Sequence, residues 1–74
     1  MSLGQNLRKL RSKTKYSQQD IADLLEIDRN TYANWENEKN DVKSEYIPKL
    51  AKIFKVEIAI LFEEETNAVE DSLK

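Results

Sequence analysis

Apolar positions recur along this chain in short blocks at helical spacing. Leu3, Leu7 and Leu10 fall at i, i+4 and i+7, one stripe of a helix over about residues 3–13, with Arg8, Lys9 and Arg11 on its other faces. Tyr16-Ser17-Gln18-Gln19-Asp20-Ile21 then reads as a helix start. Ser17 is the N-cap, Asp20 three residues on completes a capping box, and Tyr16 is placed to staple onto Ile21. The helix runs to about Leu25 and turns Ile21, Ala22 and Leu25 inward; at about eight residues it depends on packing rather than propensity. A short Glu26-Ile27 connection leads to Asp28, a second predicted N-cap. The third helix covers Arg29 to about Asn37, with Tyr32 and Trp35 at i, i+3 as its buried side.

Asn37 to Asp41 is polar and predicts a loop. A fourth helix carries Ile47, Leu50, Ala51 and Phe54 and starts somewhere between Lys43 and Pro48, because proline belongs in a first turn. Lys55-Val56-Glu57 turns into a last helix, Ile58 to about Glu65, in which Ile58, Leu61 and Phe62 are expected to close the core. The pattern predicts an all-α fold of five helices. One Gly and one Pro in the whole chain agree, since a sheet of this size needs turn residues.

Composition narrows the chemistry. Seventy-four residues support one core, which predicts one domain over residues 1–65 and an acidic, flexible tail over 66–74. With no Cys there is no disulfide, thiol nucleophile or Cys-ligated zinc. With no His the commonest general base and metal ligand is missing too, so neither a metal nor a cofactor is expected. A single Gly excludes the phosphate-cradling loops of nucleotide enzymes. The remaining catalytic candidates are carboxylates and lysines on short helices with no room for a cleft, so the chain is not expected to be an enzyme. No apolar run approaches a membrane span and no signal-peptide stretch is present, so a cytoplasmic location without a membrane partner is expected.

The net charge of −2 argues at first against a nucleic-acid partner, but the charge is unevenly placed. Residues 1–15 hold Arg8, Lys9, Arg11, Lys13 and Lys15 and no acid. Residues 63–74 sum to −4, which leaves residues 1–62 with 11 bases, 9 acids and a net +2. The acidic end hides a mildly basic domain, compatible with a polyanion but with weak non-specific binding.

The second and third helices, about residues 17–37, have the lengths and short turn of a helix-turn-helix, and the small Ala22 lets one approach the other. The run Ser17-Gln18-x-x-Ile21-Ala22-x-x-Leu25-x-Ile27-Asp28-Arg29-x-Thr31-Tyr32-x-x-Trp35-Glu36 resembles the phage repressor/Cro type of helix-turn-helix. The likeness extends into Leu50 to Val56 and Leu61-Phe62, matching that family's last two helices, and so covers about residues 3–62. It implies sequence-specific binding of double-stranded DNA by a small transcriptional regulator, a repressor, with the third helix in the major groove.

Positions matching the family's base-reading sites are Arg29, Asn30, Ala33 and Asn34. Their chemistry fits, since Arg forks onto guanine, Asn onto adenine, and Ala can touch a thymine methyl. Gln18 matches a phosphate-contacting Gln at the start of the second helix, where free N–H groups and the dipole favour an anion. Thr31, Asn37, Lys39, Asn40 and Lys43 match positions along the DNA backbone. Arg11 and Glu36 resemble a pair that bridges the first and third helices in these proteins, a structural role. The sequence departs from the family at Glu26 and Glu38, where Gly is common, and at Val42, where Pro is. A left-handed backbone at Glu26 would cost about 1–2 kcal/mol.

Ala59 and Ile60 are apolar where the family commonly has polar residues, and Ile60 cannot share a face with Ile58. An exposed apolar patch there would make a homodimer through the last helix. Nothing suggests a small-molecule ligand. The competing reading is a helix-turn-helix-derived interaction module, an adaptor or antitoxin without DNA binding, which the net charge of −2 suits.

Overall fold

The computed structural model describes residues 2–63. Within them α1 spans Leu3–Ser12, α2 Gln18–Leu25, α3 Arg29–Glu36, α4 Ile47–Phe54 and α5 Ile58–Leu61. The fold is all-α, with no strand among the described residues. A 3-10 turn, Ser44–Tyr46, occupies the stretch over which the start of the fourth helix was open, and Pro48 lies in the first turn of α4. No helix among the described residues is long and apolar enough to cross a membrane.

Local signals explain the helix starts. The capping box at α2 is present: the Asp20 amide donates to Ser17 Oγ at 3.0 Å and the Ser17 amide to Asp20 Oδ2 at 2.9 Å. A second box, unmarked in the sequence reading, opens α1, where the Gln5 amide donates to Ser2 Oγ at 3.2 Å and the Ser2 amide to Gln5 Oε1 at 3.4 Å. Asp28 takes the N-cap backbone conformation of α3, but its side chain makes no capping hydrogen bond, contrary to expectation.

Stripes from every helix meet in one core: Leu7, Ile21, Ala22, Leu25, Tyr32, Trp35, Leu50, Ala51, Phe54 and Leu61. Here α1 packs on α3 and α5, α2 on α3, and α4 on α5. Gly4 makes the α1–α3 contact possible, because a Cβ there would be driven into the Trp35 carbonyl oxygen, with that of Glu36 3.1 Å away.

The last helix departs from expectation. It ends at Leu61 rather than near Glu65, since the Phe62 and Glu63 amides bond back to the carbonyls of Ala59 and Ile60 in a tightened turn. Ile58 and Phe62, expected in the core, are 46% and 51% exposed, and Ile60, expected outside, is half-buried. A single helical turn offers the core one side, and Leu61 takes it. Glu64, Glu65 and the acidic tail at 66–74 lie outside the described residues.

Candidate nucleic-acid interface

The short α3 is two-sided. Tyr32, Trp35 and Glu36 are buried, whereas Arg29 and Asn30 are exposed and Ala33 and Asn34 half-buried on the outward side. At 100° per residue, positions 29, 30, 33, 34 and 37 form one strip, so Asn37 continues it at the C-cap. All four candidate base readers therefore share one accessible face. Three of them, Arg29, Asn30 and Asn34, can fork onto a base edge, and Ala33 is small enough to let the helix approach.

Behind this face lies a charged network that ties three helices together. The Glu36 side chain has no solvent exposure. Arg11 Nε on α1 donates to Glu36 Oε2 at 2.7 Å and Arg11 Nη2 to Oε1 at 3.2 Å, a fork-to-fork pair. Gln18 Nε2, from the first turn of α2, donates to the same Oε1 at 3.0 Å. Arg8 Nε stands 3.9 Å from it at the surface. Burial pushes the Glu36 carboxyl upward, but the hydrogen bonds from Arg11 and its neighbours outweigh it and hold the group below its ordinary value. The bond to Glu36 raises the Arg11 guanidinium correspondingly. Tyr32 Oη is buried beside the pair without a hydrogen-bond partner, and burial raises its phenol. The structure thus brings Arg11, Gln18 and Glu36 together. One proton of the Gln18 amide is committed inward, which leaves the second, with the unbonded backbone N–H groups of the first turn of α2, as donors.

The remaining backbone candidates divide into two groups. Asn37 belongs to a groove shared with Gln5, Arg8, Lys9 and Ser12 of α1, and Arg8 Nη2 approaches its Oδ1 at 3.5 Å. Thr31, Asn40 and Lys43 line a different groove, with Glu26, Asp28 and Asp41 among its walls, a setting that works against a phosphate. Lys39 is exposed beyond α3. Arg8, Lys9 and Ser12 were legible only as part of a basic segment. Their i, i+1, i+4 spacing puts them on one side of α1, but that this side flanks the end of α3 is tertiary information.

Three helix ends share one closure. At α2, α3 and α4 a residue with positive φ follows the helix: Glu26 at 61°, Glu38 at 63° and Lys55 at 58°. In each, the next amide reaches back five residues, Ile27 to Ala22 O at 2.9 Å, Lys39 to Asn34 O at 2.9 Å and Val56 to Ala51 O at 3.0 Å. The backbone at Glu26 and Glu38 keeps the left-handed geometry that glycine would favour, and Lys55 adds a third instance with no sequence warning.

Comparison with known proteins converges on one kind of molecule. The family described as a helix-turn-helix domain matches residues 4–65. The HTH-type transcriptional regulator ImmR of Bacillus subtilis is 34% identical over 56 residues, 76% of this chain and 44% of that protein. The cryptic phage CTXphi transcriptional repressor RstR of Vibrio cholerae is 31% identical over 68 residues, 92% of this chain and 61% of that protein. The chain thus spans about half the length of these relatives. Among solved structures, the restriction-modification controller protein C.AhdI from Aeromonas hydrophila is similar at TM-score 0.75 and 35% identity, over 81% of this chain and 91% of that one. A hypothetical transcription factor from Neisseria, NHTF, shares the fold at TM-score 0.84 and 21% identity, over 97% of this chain and 81% of that one.

Proposed function

The chain belongs to the helix-turn-helix domain family, and from that premise we propose that it binds duplex DNA sequence-specifically and regulates transcription, as a repressor. In this reading α3 enters the major groove and the N-terminus of α2 meets the phosphate backbone. The observation that carries it is the outward strip Arg29, Asn30, Ala33 and Asn34, base-reading chemistry on one accessible face held from behind by the Arg11–Glu36–Gln18 network. Asn37, Arg8 and Lys9 follow the backbone at one end of the strip, with Lys39 beyond it. Thr31, Asn40 and Lys43 sit among carboxylates and contribute least. The work is recognition without catalysis, in the cytoplasm of a bacterial cell as the relatives' organisms suggest.

The chain acts as a two-fold homodimer through α5, whose exposed Ile58, Ala59 and Phe62, with the open part of Ile60, form an apolar surface at one end of the domain. Dimerisation would place two copies of α3 about one helical turn of DNA apart.

Selection of bound sites from a random duplex pool by the full chain tests both parts. The expected site is two-fold symmetric, and Arg29→Ala loses discrimination of about 1–3 kcal/mol at one base position per half-site with thermal unfolding unchanged. No enrichment, or an equal loss of affinity for every sequence, overturns the base-reading assignment. Sedimentation of Phe62→Glu reads the dimer, and an unchanged dimer removes α5 as its interface.

A further inference from the structure

Asn6 is a polar side chain 6% exposed in the first helix, outside the face proposed for DNA. Its Nδ2 donates to the Leu61 carbonyl at 2.8 Å and to the Glu63 carbonyl at 2.9 Å. Both protons of the carboxamide are thereby used on the C-terminal end of α5. That helix is one turn long, below any length that holds itself in water, and only Leu61 of it is fully buried. An apolar anchor is non-directional and lets a turn rock about it, whereas two hydrogen bonds from one planar amide fix an angle. On its other side α1 abuts α3 at Gly4 and is clamped to it through Arg11 and Glu36. One rigid helix therefore connects the exposed apolar side of α5 to the base-reading strip of α3, and Asn6 is its directional joint.

We propose that Asn6 is a positioning residue for DNA recognition, setting the angle of the α5 dimer surface against α3 and so the half-site spacing that the dimer accepts. This rests on the dimeric DNA-binding reading above. In a two-fold dimer a rotation of the interface helix is transmitted to both recognition helices, so a small change at the joint alters their separation along the duplex.

The test uses the full chain, Asn6→Ala, and Asn6→Leu, which keeps the volume and burial but removes the donors. Probes are the duplex selected by the native chain, the same duplex with its half-sites moved by one or two base pairs, and a duplex with a single half-site. Native protein is expected to prefer the selected spacing. Both variants are expected to bind the single half-site within about twofold of native, while their preference for the selected spacing falls on the order of tenfold. Hydrogen exchange of the free variants is expected to lose protection at the Phe62 and Glu63 amides and to keep it along α3. A native-like spacing preference in Asn6→Leu overturns the proposal. So does loss of protection along α3 together with α5, which would make Asn6 a residue of the general fold. If native protein shows no spacing preference, the dimeric reading fails and takes this proposal with it. If spacing matters to native protein but not to the variants' deficit, the assignment of Asn6 alone fails.

Discussion

Gly4, the chain's single glycine, sits inside a helix, where propensity alone favours alanine by about 1 kcal/mol. The tertiary contact reverses that sign, because the added methyl meets backbone carbonyls of Trp35 and Glu36 that cannot rotate away. Gly4→Ala is therefore expected to destabilise by about 1–3 kcal/mol, read as the urea midpoint, with the helical circular-dichroism signal retained. Glu36 makes the opposite kind of demand. Its carboxyl is held below the ordinary value in the folded state by Arg11. The network's stabilisation is therefore complete above the unfolded-state value and is lost as pH falls through the lower folded-state value. Acid titration of the native chain is expected to show this loss, whereas Glu36→Gln is expected to be about 2–3 kcal/mol less stable at neutral pH and to lack that acid dependence. Acid curves of the two proteins that run parallel would contradict the assignment. The buried Glu36 could not be recognised from its charge, since acids at such positions are usually solvated.

At the scale of elements, short helices are ended by a shared device that the residues at its centre do not favour. Glu26, Glu38 and Lys55 all hold positive φ, at a cost of about 1–2 kcal/mol each relative to glycine. Glu38→Gly and Lys55→Gly are each expected to raise stability by about 0.5–1 kcal/mol after glycine's greater unfolded-state entropy is counted, a few degrees in Tm. Only Glu38→Gly is expected also to tighten binding to random duplex, because it removes an acid beside Asn37 and Lys9. Equal effects of the two on DNA binding would separate Glu38 from the interface. The family resemblance flagged Glu26 and Glu38 through the glycines they replace. Lys55 carried no such flag, and its conformation follows from the abrupt turn into α5. That helix was the least legible element: the i, i+3, i+4 spacing of Ile58, Leu61 and Phe62 pointed all three at the core, but a helix that closes after one turn buries only Leu61 of them.

For the whole molecule, the uneven charge sets how it meets a polyanion. The cations around the α3 strip are few, namely Arg8, Lys9, Arg29 and Lys39, and Glu38 lies among them. Binding to random duplex is accordingly expected to weaken with salt at a slope of about −2 to −4 per protomer in log K against log salt. Fluorescence anisotropy across a salt series measures it. A slope near zero would favour the interaction-module reading, and a much steeper one would require phosphate contacts beyond these residues.

The sequence by itself determined the all-α class, the helix-turn-helix between Ser17 and Asn37, and the partition of α3 into buried aromatics and an outward polar strip. Those features are written in local spacing and capping chemistry, which act within three or four residues. Tertiary structure decided what depends on contacts far apart in the chain: the burial of Glu36, the inward bond of Gln18, the close approach at Gly4, and the joint between Asn6 and the end of α5 across 55 residues. Each of these is a polar or small residue whose side chain is ordinary in isolation. What makes it matter is a partner brought to it only when the apolar stripes have closed on one core.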